Sequence, residues 1–314
     1  MKYLTFPQVL FLGNGLNLAY SGISWTDLIR KIAKRDDFDW SRSEMPMPLQ
    51  AILASDNRIR TSLKIAKEDF RGKIRNEQQM EVLRDLLTMG FDDILTTNYS
   101  YELEEAALGK YELTDRQVAK LMRYTSKNPE RNYLLHTYNQ VKCGNTENRI
   151  WHVHGEIRKT DSMILGHYWY GKLLYKIIEE SEKNKDHYAR NQKEGKLIER
   201  NSWMDSFILG DVYVLGFGFG LSEVDLWWLL NRKQRERAEH GKVYFYELRS
   251  EKQREKTELL KLMDVEVLDL GFSDTEKTTP DGKPDYKAFY QAAINDIRRK
   301  MMKIKSAGLE KTVN

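Results

Sequence analysis

Residues 9–17 read Val9-Leu-Phe-Leu-Gly-Asn-Gly-Leu-Asn17. An apolar run ends in two glycines one residue apart. Trp25-Thr-Asp-Leu-Ile-Arg-Lys-Ile-Ala33 follows with Leu28, Ile29 and Ile32 on one helical face, so the pattern is strand, turn, helix. The same grammar returns where Asp211-Val-Tyr-Val-Leu215 runs into Gly216-Phe-Gly-Phe-Gly-Leu-Ser-Glu-Val-Asp225 and a helix expected over 224–239. Between them, a helix over 81–89 stopped by Gly90 leads to the strand Asp93-Ile-Leu-Thr-Thr97. Beyond them, strands at 242–247 and 265–270 flank a helix over 251–263. Strands alternating with helices predict an α/β fold, a Rossmann-like doubly wound parallel sheet with helices on both faces.

We expect one domain over 1–314, with its core at about 8–104 and 150–271 and helical insertions at about 36–80, 101–149 and 169–205. A closing amphipathic helix over 286–305 turns Phe289, Ala292, Ile297 and Met301 inward. In the first insertion the prolines of Met45-Pro-Met-Pro48 read as breaks in regular structure and the remainder as exposed helix. The second, up to Arg149, is polar and irregular, and the third is charged and helical, as in Lys176-Ile-Ile-Glu-Glu-Ser-Glu-Lys183.

Lys and Arg number 51 against 47 for Asp and Glu, and a net charge of +4 is too small to make nucleic acid the expected partner. The single cysteine, Cys143, excludes an internal disulfide framework and a four-cysteine zinc site built by this chain alone. No apolar run approaches the roughly 20 residues that span a bilayer, and no signal-peptide core is present. A soluble cytoplasmic protein with no membrane partner is expected.

A strand entering a helix through Gly-x-Gly exposes backbone N–H groups at a positive helix end, which suits a pyrophosphate, and Gly13, Asn14, Gly15 and Asn17 fit that role. Leu18 stands where a dinucleotide fingerprint has its third glycine, so the segment fails as a dehydrogenase signature and reads equally as a tight turn. In the second turn Gly216, Gly218, Phe219, Ser222 and Glu223 are the matching candidates, although Ser222 and Asp225 also read as a helix N-cap and a first-turn acid. Glu247 ends a strand where such folds bind an adenosine ribose. Thr97, Asn98 and Ser100 follow a strand at the carboxyl edge of the sheet, where ligands sit in open α/β folds, and the amide of Asn98 both donates and accepts. His152 and His154 share one strand face, which would suit a metal pair, but no third ligand accompanies them. We therefore expect no metal, His154 as a base and His152 as a buried support.

The order Phe11-Leu-Gly-Asn-Gly-Leu-Asn17, Leu95-Thr-Thr-Asn-Tyr99, Trp151-His-Val-His-Gly155 and Val214 to Asp225 resembles the Sir2 superfamily. It is closer to the SIR2-like NADase branch than to the protein-deacetylating sirtuins. Ser21-Gly-Ile-Ser-Trp25 is similar to the Ser-Gly-Ile-Pro segment of sirtuins, with Ser24 in place of proline. Ser100 stands where related sequences have aspartate. The resemblance implies a Sir2-type core without a zinc ribbon and NAD+ as substrate. It also implies Asn98 and His154 as the catalytic pair, the glycine turns with Thr97 and Ser100 around the cofactor, and water as acceptor in place of acetyl-lysine. The implied activity is NAD+ glycohydrolysis in anti-phage defence, held silent by homo-oligomerisation or by a separate sensor such as a HerA-like ATPase or an Argonaute-type protein. Two other readings stay open: a zinc-free NAD-dependent deacylase or ADP-ribosyltransferase, and a non-catalytic NAD+ or ADP-ribose sensor.

Overall fold

Every side chain of β1 (Gln8–Leu12) is buried. Val9 and Phe11 enter one hydrophobic layer and Leu10 and Leu12 the other. A strand covered on both faces needs apolar residues at consecutive positions rather than at alternate ones, and this is why the run reads as it does. The computed structural model describes residues 6–20, 22–35, 37–67, 76–126, 132–184, 186–196, 198–275, 278–279 and 282–310.

Among the described residues the other strands are β2 (Asp93–Thr96), β3 (Met122–Tyr124), β4 (Thr137–Cys143), β5 (Thr146–His152), β6 (Asp211–Leu215), β7 (Val243–Tyr246) and β8 (Val265–Leu268). They form one sheet in the order β3-β4-β5-β2-β1-β6-β7-β8. From β5 to β8 all neighbours are parallel, while β3-β4 and β4-β5 are antiparallel. Helices Trp203–Leu209, His167–Lys183 and Val224–Gln234 cover one face. Glu77–Leu87 and the long helix Tyr286–Glu310 cover the other. The fold is thus α/β and doubly wound, as expected.

The segment 101–149 departs from the expected irregular insertion. Thr137–Cys143 alternates buried and outer positions, and Gly144-Asn145 turns it back into β5 with Gly144 at φ 59°. That two-residue turn, with its positive φ, is a hairpin device that extends the sheet. The first insertion also differs. Pro48 sits within the first turn of Met47–Ala54, where its missing N–H costs nothing. This helix and Ile59–Ala66 bury Ala51, Ala54, Ile59 and Leu63 against Leu28, Ile29 and Ile32 in a third hydrophobic cluster. In the last helix Ala293 and Ile294 are buried beside Phe289, Ile297 and Met301, whereas Ala292 is only half-buried.

Among the described residues no helix is long and apolar enough to cross a membrane.

Candidate functional site

The chain leaves β1 for β2 on one side and returns from β5 to β6 on the other, so the strand order reverses between β1 and β6. In open parallel sheets the crevice beyond the carboxyl ends of such strands is the ligand site. Here the two glycine turns meet there. Gly13 N donates to Leu215 O at 2.9 Å and Gly15 N to Gly216 O at 2.7 Å. A Cβ on Gly13 would fall 2.4 Å from Gly216 O, and one on Gly216, itself at φ 67°, would fall 2.7 Å from Leu16 N. The first two glycines therefore serve close backbone approach. Their own amides are spent on carbonyls and do not face a phosphate, which corrects the expected cradle.

A cleft of about 540 Å³ opens over this junction. Asn14, Gly15, Thr97, Gly216, Gly218, Ser222, Glu223 and Glu247 line it, together with Trp25, Tyr170 and Tyr246. Tyr286, Phe289 and Tyr290 of the last helix close one side, and no lysine or arginine is among the described lining residues. At Gly218 a Cβ would meet nothing within 4 Å, so the wall there is open. Glu247 accepts from Lys256 Nζ at 2.5 Å, and Lys256 also donates to Gly218 O at 2.8 Å. Burial raises the Glu247 carboxyl and the paired Lys256 ammonium pulls it back, leaving it above the ordinary value.

Four expected contacts lie off the cleft wall. Asn17 is buried and accepts from Gln79 Nε2 at 3.2 Å, and with Asn14, whose Nδ2 donates to Ile23 O at 2.7 Å, it knits the first turn together. Phe219 is a core side chain packed on Phe217, Phe245 and Trp227. Ser100 Oγ donates to Glu102 at 2.6 Å, and Gly13 is packed beneath Phe217. Ser21 lies outside the described residues. Ser24 caps Trp25–Ile32 in a reciprocal box with Asp27, the local job done here by the residue that replaces proline.

The two histidines part. His152 Nδ1 bonds Asn98 O at 2.7 Å and Nε2 bonds Glu104 Oε1 at 3.0 Å, so His152 supports the loop that carries Asn98. Burial alone would lower its pKa, but Glu104 raises it to about 9. His154, fully buried, bonds Asp225 Oδ2 through Nε2 at 2.8 Å, and its Nδ1 points at Glu223 Oε2 from 3.7 Å. Tyr170 OH donates to the same Glu223 at 3.0 Å. Burial works against the imidazolium while Asp225 favours it, and the net shift is upward; burial likewise raises Glu223, against the pull of His154. No contact joins the side chains of Asn98 and His154, and neither lines the cleft. The two histidines therefore face different partners and do not pair with one another. Among the described residues His154, Glu223 and Asp225 form the one set of such groups close enough to share an ion, with His154 Nε2 already bonded to Asp225 Oδ2.

The helix-cap reading is corrected for Ser222, while Asp225 stands in the first helical turn as expected. Glu223 occupies the N-cap of Val224–Gln234 without a capping bond, and Asp225 turns inward. Its spacing held the clue: 225, 226, 229, 230 and 233 are the buried positions of that helix, so the acid sits in the apolar stripe.

The family model for bacteriophage abortive infection AbiH matches residues 22–246. The chain belongs to the AbiH family. The AbiH match spans β2 to β7 with Thr97, Asn98, His154, Glu223 and Asp225, and starts after the Gly13-Asn-Gly15 turn. Membership sets the chain among anti-phage abortive infection proteins. No curated protein matches it.

Proposed function

We propose that the chain aborts phage infection as an NAD+ glycohydrolase, splitting NAD+ into nicotinamide and ADP-ribose. One observation carries this reading: the two glycine turns converge at the strand-order reversal under a cleft whose wall bears Thr97, next to Asn98, and Glu223, next to the buried His154–Asp225 pair. A dinucleotide laid across the switch point would put its adenosine ribose near Glu247 at the end of β7, on the far side of β6 from β2. The nicotinamide ribose would then lie near Thr97. Nicotinamide is a cationic leaving group, so its departure needs orientation, exclusion of water and one directed nucleophile more than acid assistance. Trp25, Tyr170 and Leu165 supply apolar walls for that end. Homo-oligomerisation or a separate sensor is the proposed means of keeping the activity silent before infection.

The test is release of nicotinamide from NAD+ by the purified protein, alone and with material from infected cells. Asn98→Ala and His154→Ala are each expected to abolish it with unchanged circular dichroism. Full turnover in both folded variants would sink the assignment. Release only in the presence of an acetylated peptide would point to a deacylase, and tight binding of uncleaved NAD+ to a sensor.

A further inference from the structure

The cluster at the end of β5 has an order that the expected Asn98 and His154 pair does not explain. His154 is fully buried, while the Glu223 side chain, 13 % exposed, stands between it and the cleft. Asp225 is fully buried behind the imidazole. The series is therefore cleft, Glu223, His154, Asp225, closed at the side by Tyr170 OH on Glu223. His154 Nδ1 and Asp225 Oδ1 are buried without a hydrogen-bond partner, so the ring has one nitrogen held by Asp225 and the other directed at the glutamate. At 3.7 Å that second contact is longer than a hydrogen bond, as catalytic contacts often are before substrate tightens them.

We propose that Glu223 is the catalytic base of this cleft, and that His154 and Asp225 are positioning residues acting through it. The inference rests on the NAD+ reading above. In the reaction the bond between nicotinamide and C1′ breaks with its electron pair leaving on the nitrogen, which gives neutral nicotinamide and an oxocarbenium-like ribose. A water oxygen bonds C1′, and its proton passes to the Glu223 carboxylate and on to solvent, completing ADP-ribose. The negative charge of Glu223 also faces the developing cation. A glutamate needs to be ionised for this, and burial raises its pKa above the ordinary glutamate value against the pull of His154. The acid limb of the rate profile accordingly lies above that of a solvent-exposed glutamate.

The test compares wild type with Glu223→Gln, Glu223→Ala and Asp225→Asn under the conditions in which wild type cleaves NAD+. Glu223→Gln is expected to bind NAD+ in calorimetry and to lose about 100-fold or more in nicotinamide release, the span of general-base catalysis. Sodium azide, a nucleophile with no proton to shed, is expected to restore release in Glu223→Ala and to yield azido-ADP-ribose. Asp225→Asn is expected to keep the acid-base chemistry with a displaced pH profile, a change that simple loss of packing would not make. Glu223→Gln as active as wild type, absence of azide rescue in folded Glu223→Ala, or strict dependence on added Mn²⁺ or Mg²⁺ would each overturn the inference while leaving NAD+ cleavage standing. Wild type that never cleaves NAD+ would remove both.

Discussion

His152 and His154 stand two residues apart and carry different loads. The first ties β5 to Glu104 and to the backbone of Asn98; the second is locked to Asp225. The folded pKa of His152, about 9, lies above its ordinary 6.5, so the pair with Glu104 contributes its full stability below about pH 6.5 and loses it as pH rises through 9. Melting curves between pH 6 and 10 are expected to show that decline, on the order of 3 kcal/mol, and Glu104→Gln is expected to flatten it. An unchanged slope in the variant would refute the pairing. Gly13 makes a second residue-scale prediction. Its Cβ would strike Gly216 O and the Cα of Phe217, which are backbone and cannot swing aside. Gly13→Ala is expected to destabilise by about 1–3 kcal/mol, read by denaturant titration, and a neutral effect would mean the two turns are not in contact.

At the scale of elements, the core strands β1, β2, β6 and β7 were legible because each is a short apolar run closed by a turn or a helix start, and burial on both faces demands that pattern, whereas β8 is an edge strand with Glu266 exposed. The β4–β5 hairpin was hidden by its outer polar positions Gln140, Lys142, Glu147 and Arg149 and by the polar residues Asn139 and Asn148 at its buried ones, although Gly144-Asn145 signalled the turn. Asp225 stands in the first helical turn as its position predicts, and the buried stripe to which it belongs is what turns it inward onto His154. The wall supplied by Tyr286–Glu310 was not legible, since nothing local states that a helix some 270 residues after β1 returns to its turn. That wall is testable. Phe289 is 2 % exposed and faces both the core and the cleft, so Phe289→Ala is expected to cost about 3–5 kcal/mol in chemical denaturation and to weaken nucleotide binding. Loss of neither would detach the helix from the site.

The whole molecule is organised by one topological fact: the chain reverses its strand order between β1 and β6, and the cleft, the two glycine turns and the Glu223–His154–Asp225 series all gather at or beside that reversal. AbiH membership gives the setting, arrest of phage growth in an infected cell. Removal of NAD+ is a sufficient way for a single enzyme to arrest a cell, because no energy metabolism proceeds without it. The most direct measurement is therefore the NAD+ content of bacteria carrying the protein, followed by mass spectrometry after phage infection, for wild type beside Glu223→Gln and Asn98→Ala. The account predicts that NAD+ collapses and nicotinamide and ADP-ribose rise only with wild type, in step with the block to phage. A block to phage at undiminished NAD+ would contradict it.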